Sequence, residues 1–293
     1  MITVLDGNVV ASTIQERLKE EVSQLVDQHN TQPGLAVILV GDDPASQVYV
    51  GRKKKVCEGI GIRSFDFRLG ADCKEEELIS LIQDLNDRDA IHGILLQLPL
   101  PDHLDSMKML QLISPSKDVD GFHPQNVGQL LIGLDSFRSC TPYGVLKIFE
   151  HYNIDPAGQH VVVVGRSNIV GKPMAAMLVQ KEKGANATVT ICHSRSQNMK
   201  ELCLSADILI AAIGRPNYVK KDMVKQGAVI IDVGINRVDD ASAARGYRLV
   251  GDVDYDDVLD SVSAITPVPG GVGPLTVTML MSNTVKAFKK SVS

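Results

Sequence analysis

The stretch His160–Pro173, HVVVVGRSNIVGKP, constrains this chain more than any other. Four consecutive valines are too β-branched to favour a helix, and they read as a strand buried on both faces, as in parallel sheets. A glycine-bearing turn follows, Gly165 to Gly171, and opens into an apolar helix from Pro173 to about Lys181. Strand, glycine turn and helix in that order bring backbone N–H groups and a helix N-terminus to one point, which suits an anionic phosphate. Five residues separate the two glycines, so the turn departs from the usual G-x-G-x-x-G spacing. An ordinary βα turn is the competing reading.

With 293 residues, the chain is long enough for about two domains of ~150 residues. A formal charge of -5, no Trp and 4% aromatic residues argue against nucleic acid, which calls for a basic face and stacking rings. The five cysteines form no C-x-x-C pair and read as reduced thiols of a cytoplasmic protein. MITVLDG has no basic segment leading into an apolar one, so no secretory signal is expected, and no apolar run reaches the ~18 residues of a membrane span.

Before the valine run, apolar residues at helical spacing predict a helix over about Ala11–Asn30. LAVILV (Leu35–Val40) then reads as a buried strand, and Ser46 as the N-cap of a helix to about Glu58. SFDFRL and IHGILLQL follow as strands, with Asp72 and Glu75 as a capping box between them. Short helices near Ser106–Ile113 and Asn126–Ile132 come next, then one capped by Thr141-Pro142. From His160 the alternation restarts, with strands near Val161–Val164, Ala187–Cys192, Asp207–Ala212, Ala228–Val233 and Ala264–Thr266, and a last helix over Leu275–Lys290. Strands alternating with helices predict α/β architecture with mostly parallel sheets. The boundary falls near Ser139–Thr141.

Tyr49 and Lys53 are four apart on the helix after the first buried strand, at the strand end where α/β proteins place ligands. Taken alone, a solvated basic run, Lys53-Lys54-Lys55, is the stronger local reading, and only the company of the other motifs shifts it. Gln97, among apolar residues at a strand end, must find hydrogen-bond partners. Asp118 and Asp120 lie in the turn KDVDGFHP, where Asx-turn chemistry is the simpler account and a calcium loop lacks its further ligands. The strand ATVTIC ends in His193-Ser194-Arg195, without the Asp or Glu that takes the ribose hydroxyls of NAD. A hydroxyl and two guanidiniums, Arg195 and Arg166, suit an extra phosphate instead, so NADP is preferred to NAD. Histidine spacing gives no metal motif, and Asp252–Asp257 reads as helix capping.

Taken together, Tyr49–Lys53, QLPLP (Gln97–Pro101), KDVDGFHP (Lys117–Pro124), CTP (Cys140–Pro142), VVVGRSNIVGKP (Val162–Pro173), DVGIN (Asp232–Asn236) and TPVPGGVGPLT (Thr266–Thr276) occur in this order. The chain thereby resembles the bifunctional methylenetetrahydrofolate dehydrogenase/methenyltetrahydrofolate cyclohydrolase family over essentially its whole length. The KEKG stretch at Lys181–Gly184 is a departure that loosens the placement of Ser194.

The resemblance implies two α/β domains with a cleft between them. Residues 1–139 with a C-terminal helix, 273–293, would form a folate-binding catalytic domain, and 140–272 a Rossmann-like NADP-binding domain. It implies Lys53 as proton relay, Tyr49 orienting the folate, Gln97 holding the lysine amine and Asp120 accepting from the pterin ring. Leu98, Pro99, Pro269, Gly270 and Gly271 would line the folate site. Gly165, Arg166, Ser167, Ser194, Arg195 and Ile235 would hold NADP, and a homodimer is expected. An NADP dehydrogenase of another small substrate and a non-enzymatic nucleotide-binding regulator are the alternative functions.

Overall fold

The computed structural model describes residues 2–243 and 246–292. In chain order the elements are β1 (Thr3–Val4), α1 (Gly7–His29), β2 (Gly34–Val40), α2 (Pro44–Ile60), β3 (Arg63–Leu69), α3 (Glu75–Asp87) and β4 (Gly93–Leu96). Next come α4 (Ser106–Leu112), α5 (Pro124–Leu131), α6 (Cys140–His151), β5 (His160–Val164), α7 (Gly171–Leu178), β6 (Thr188–Cys192) and α8 (Met199–Leu204). The chain ends with β7 (Ile208–Ala211), β8 (Ala228–Asp232), β9 (Asn236–Asp239), β10 (Tyr247–Val250), α9 (Tyr255–Val258), β11 (Val262–Ile265) and α10 (Val272–Val292).

These elements form two compact units. One consists of Ser12–Cys140 and the chain from Val277 onward; the other is the chain up to Ala11 together with Thr141–Thr276. The chain up to Ala11 thus groups with the second of these units. β1 pairs in parallel with β11, Thr3 opposite Ala264 and Val4 opposite Ile265, which ties the N-terminus to the second sheet. Two residues are too short a strand to signal themselves in sequence.

In the first unit β2 is the centre of a parallel sheet of order β3-β2-β4. Flanked on both sides, all seven of its residues are buried, which is why GLAVILV shows no polar alternation. Leu78, Ile82 and Leu85 of α3 pack with Ala36, Ile38 and Val40, each side chain contributing roughly 1.5–3 kcal/mol of burial. The caps differ from expectation. Asp43, not Ser46, caps α2: its carboxylate accepts the Ser46 N–H at 2.7 Å, with Pro44 at the first helical position. The capping box at Asp72 and Glu75 does not form, because α3 begins at Glu75 with Lys74 as a cap that makes no side-chain bond.

His92 sits at the amino end of β4, 6% exposed, with Nδ1 accepting the Gly34 N–H at 2.9 Å and its ring edge-on to Phe288. Only an unprotonated Nδ1 can accept, and burial followed by the charge of Lys117 holds its pKa below the ordinary value. An unfolded histidine protonates near 6.5, so this contribution to stability is complete above about pH 6.5 and is lost as the pH falls through the lower folded value. We expect urea unfolding of the parent protein to show declining stability from pH 7 to 5, and His92→Gln, which does not titrate, to lose less over that range. Equal slopes for the two proteins would remove His92 from the account.

The second unit carries a six-stranded parallel sheet of order β1-β11-β8-β7-β5-β6. Val161 to Val164 are fully buried at its heart. β5 pairs with β6 on one side and β7 on the other, so the chain runs outward from β5 to β6 and then crosses back over β5 to β7. The carboxyl end of β5 is the topological switch point, where open α/β sheets hold their ligands. The segments ILIAAIG and AVIIDVG contain β7 and β8, interior strands of the sheet, and burial there accounts for their apolar character. An antiparallel pair, β9 with β10, is not legible in the sequence. No helix of the described residues is long and apolar enough to cross a membrane.

Candidate active site

The first unit gathers its candidates at the carboxyl ends of β2 and β4. Ser46, Val50, Lys53, Cys57 and Ile60 form the buried stripe of α2. Lys53 thus occupies a core position, 9% exposed, although its neighbours Lys54 and Lys55 are solvated. Lys54 instead pairs with Asp66 at 2.5 Å, the ordinary surface behaviour that the local sequence allows for all three. An amine in a core position must be hydrogen-bonded, and Lys53 Nζ donates to Gln97 Oε1 at 2.9 Å. Gln97 is held in turn, its N–H donating to Ile38 O at 2.9 Å and its Nε2 to Leu98 O at 2.6 Å. Tyr49, one turn before Lys53, is exposed. Leu98 is half-buried and Pro99 exposed beyond the strand end.

The two aspartates of KDVDGFHP divide their work. Asp118 is 2% exposed and accepts from Phe122 N at 3.2 Å, His123 N at 2.8 Å and Asn126 Nδ2 at 2.8 Å, so it is the turn-forming residue. Asp120 takes no part in these bonds. Burial pushes its carboxyl up to about 6, against the attraction of Lys53 and of the Cys140 thiol, while Asp118 adds repulsion. Lys53 thus links Gln97, by a hydrogen bond, with Asp120, by charge. Cys140, whose thiol is raised well above its usual range chiefly by burial, is a further neighbour that sequence reasoning did not single out as chemical.

The second unit builds the phosphate-type turn. Gly165 has φ +142, and a Cβ there would stand 2.2 Å from Ala212 O; one on Gly171 would stand 2.1 Å from Gly165 O. Both glycines are required by close backbone approach, which accounts for the unusual spacing. Ser167 Oγ accepts the Val170 N–H at 3.0 Å and orders the turn into α7. Arg166 and Arg195 are exposed, and neither guanidinium makes an ion pair among the described residues. Ser194 and Ile235 are exposed at the ends of β6 and β8. The turn holding Ser194 is fixed by His193, whose N–H donates to Ser196 Oγ at 3.0 Å and whose Nδ1 accepts the Arg195 N–H at 3.2 Å. A glycine cradle too tight for any Cβ, beside two unpaired guanidiniums and no acid at the β6 end, fits NADP.

Two buried carboxylates hold the remaining loops at this end of the sheet. Asp252, fully buried, accepts from Ile213 N at 2.7 Å, Gly214 N at 2.8 Å, Arg215 N at 3.0 Å and Asn236 Nδ2 at 2.9 Å. Asp232 accepts from Gly234 N, Asp252 N and Val253 N, each at 2.9 Å. Burial raises the Asp232 carboxyl to about 7, opposed by those N–H donors. The expectation that Asp252–Asp257 caps a helix is corrected accordingly. Asp254 stands at the α9 N-cap without a side-chain bond there and pairs with Lys220 at 2.6 Å, while Asp257 accepts the Lys221 N–H at 2.8 Å. Thr141 likewise does not cap α6, which begins at Cys140; its hydroxyl meets that of Thr276 at 3.0 Å. Gly270 and Gly271 are also in this unit and are packed against the start of α1. Gly7 N donates to Gly270 O at 2.9 Å, and a Cβ on Gly7 would fall 1.7 Å from Gly271 O.

Residues 5–120 match the family model "Tetrahydrofolate dehydrogenase/cyclohydrolase, catalytic domain", and residues 139–292 match its "NAD(P)-binding domain". The chain belongs to the tetrahydrofolate dehydrogenase/cyclohydrolase family. It is 55% identical over 291 residues to the bifunctional protein FolD of Chlorobium phaeobacteroides, covering 99% of this chain and 98% of that one. The bifunctional FolD structure from Campylobacter jejuni superposes with a TM-score of 0.93 at 48% identity, covering 99% of each chain. The Trypanosoma brucei methylenetetrahydrofolate dehydrogenase-cyclohydrolase, complexed with NADP and an inhibitor, gives a TM-score of 0.94 at 40% identity, over 99% of this chain and 98% of that one.

Proposed function

We propose that this protein oxidises 5,10-methylenetetrahydrofolate to the methenyl form with NADP and then hydrolyses that product to 10-formyltetrahydrofolate. The observation that carries the reading is the buried amine of Lys53, bonded to Gln97 at 2.9 Å and electrostatically coupled to Asp120. An amine held this way suits the proton movement of hydration, a step that hydride transfer itself does not need.

When bound, NADP supplies the acceptor for the hydride that leaves the one-carbon bridge. Oxidation otherwise needs mainly orientation, supplied by Tyr49 against the folate and by Asp120 accepting from the pterin ring, with Leu98, Pro99 and the Pro269–Gly271 loop lining the substrate. Hydration needs proton movement. Water adds to the methenyl carbon and gives up one proton, the hydroxyl so formed loses its own proton as the bond from that carbon to N5 breaks, and N5 gains a proton, so that one proton in all is released to solvent. Lys53 is placed to carry a proton in these steps, with Gln97 Oε1 fixing the amine. Gly165, Ser167, Ser194 and Ile235 shape the cofactor side, and Arg166 and Arg195 take the extra phosphate. The test is spectrophotometric: NADP reduction on addition of methylenetetrahydrofolate, and decay of supplied methenyltetrahydrofolate. Absence of the first defeats the dehydrogenase assignment, and absence of the second leaves the alternative dehydrogenase reading.

Replacing both Arg166 and Arg195 by Ala is expected to shift selectivity towards NAD. Each solvent-facing charge-assisted contact is worth about 1 kcal/mol, so the ratio of kcat/KM for NADP over NAD should drop by roughly 10–100-fold. An unchanged ratio would remove the argument from the missing acid. A homodimer in the cytoplasm completes the proposal. The family resemblance supports the dimer, and light scattering at micromolar concentration gives its mass directly.

A further inference from the structure

Asn283 is 2% exposed on α10, among the buried apolar residues Met279, Leu280, Met281 and Val285. An amide at such a position is costly unless both of its N–H bonds are used. They are used on two carbonyls far apart in sequence: Nδ2 donates to Val119 O at 2.8 Å and to Arg138 O at 2.9 Å, and lies 3.7 Å from Cys140 Sγ. Val119 immediately precedes Asp120. Arg138 lies two residues before Cys140, whose thiol donates to Val119 O at 3.4 Å and acts on the Asp120 carboxyl electrostatically. The same two segments are pressed together at Gly121, where φ is +72 and a Cβ would stand 2.7 Å from Ser139 N. One side chain therefore clamps both pieces of backbone that bracket the Asp120 carboxylate.

We propose that Asn283 is a positioning residue for Asp120, setting the carboxylate where it can accept from the folate ring. This rests on the folate reading above. The neighbouring Thr284 is as deeply buried but spends its hydroxyl on Leu280 O within its own helix, so it provides a control of equal burial with no link to Asp120.

The test is calorimetric binding of tetrahydrofolate, without NADP, to the parent protein, Asn283→Leu, Thr284→Val, Asp120→Asn and the Asn283→Leu/Asp120→Asn double variant. We expect Asn283→Leu to weaken binding about tenfold, Thr284→Val to leave it within about twofold, and Asn283→Leu to add nothing once Asp120 is already Asn, as coupled residues do in such a cycle. Asn283→Gln, which keeps the amide, covers the case in which the leucine variant does not fold. It should weaken binding less than Asp120→Asn does, and should likewise add nothing in the Asp120→Asn background. Binding unchanged by either Asn283 variant, or a loss of equal size in both backgrounds, overturns the proposal. A parent protein that does not bind tetrahydrofolate overturns the folate reading instead, so the two failures are distinct.

Discussion

Lys53→Met is expected to slow hydrolysis of methenyltetrahydrofolate by about 10²–10⁴-fold, the usual contribution of a positioned proton-transfer group. Methionine has a similar length and tolerates the buried stripe formed with Val50, Cys57 and Ile60, so packing is largely retained. What is removed is the amine bonded to Gln97 at 2.9 Å, the group proposed to move a proton when water adds. Hydride transfer asks for no such proton, so NADP reduction should fall less, through a looser folate pose near Asp120. The two activities are read separately, as decay of supplied methenyltetrahydrofolate and as NADP reduction. Urea unfolding of the variant accompanies them, because Gln97 Oε1 loses a partner at a cost of roughly 1–3 kcal/mol. Hydrolysis persisting at the parent rate in a folded variant would falsify the assignment of Lys53. A parallel collapse of both rates would make the lysine an organiser of folate binding alone.

The sequence discloses this site unevenly, for physical reasons. β2 and β5 are legible because strands buried on both faces must be continuously apolar, and GLAVILV and HVVVV are. The turn Gly165–Gly171 is legible because only glycine survives approaches of 2.1–2.2 Å at Cβ. Lys53 is ambiguous locally: KKK describes a solvated run, and the burial of its first member follows from the phase of α2, set by Asp43 three residues before Ser46. Cap positions misled at Ser46, Asp72 and Thr141 because several residues near each helix start can cap, and tertiary packing chooses among them. Asn283 and the pair Asp232 and Asp252 were out of reach for a different reason. Their partners lie 164, 145 and up to 39 positions away, and no periodicity encodes a bond across such a distance. The available signal was negative: a polar pair, Asn283-Thr284, inside an apolar helix, and an acid ending the apolar run AVIID. Such residues need partners, so their presence announces a network without naming its members.

Asp252→Ala carries the largest expected loss of stability. Its carboxylate alone receives the N–H groups of Ile213, Gly214 and Arg215 and the amide of Asn236, so it joins the loop after β7, the strand β9 and its own segment. Removal strands three backbone donors, and bonds to a charged acceptor are worth about 1.5–3 kcal/mol each. Water can reach the half-buried and exposed members of the set, which brings the expected total to about 3–5 kcal/mol. Asn at this position should recover little, since it offers one acceptor oxygen and turns an NH2 towards the converging N–H groups. The effect should extend to the cofactor, because Ile235 sits between Gly234, which donates to Asp232, and Asn236, which donates to Asp252. Urea unfolding should therefore show a lower midpoint with an unchanged slope. NADP affinity should fall by about tenfold, while tetrahydrofolate binding, assigned mainly to Tyr49, Leu98, Pro99 and Asp120 in the other unit and only in part to the Pro269–Gly271 loop of this one, should fall less. An unfolding free energy within about 1 kcal/mol of the parent value, the cost of an ordinary hydrogen bond, would show that solvent replaces Asp252 at every donor. The acid would then be incidental to the loops it joins.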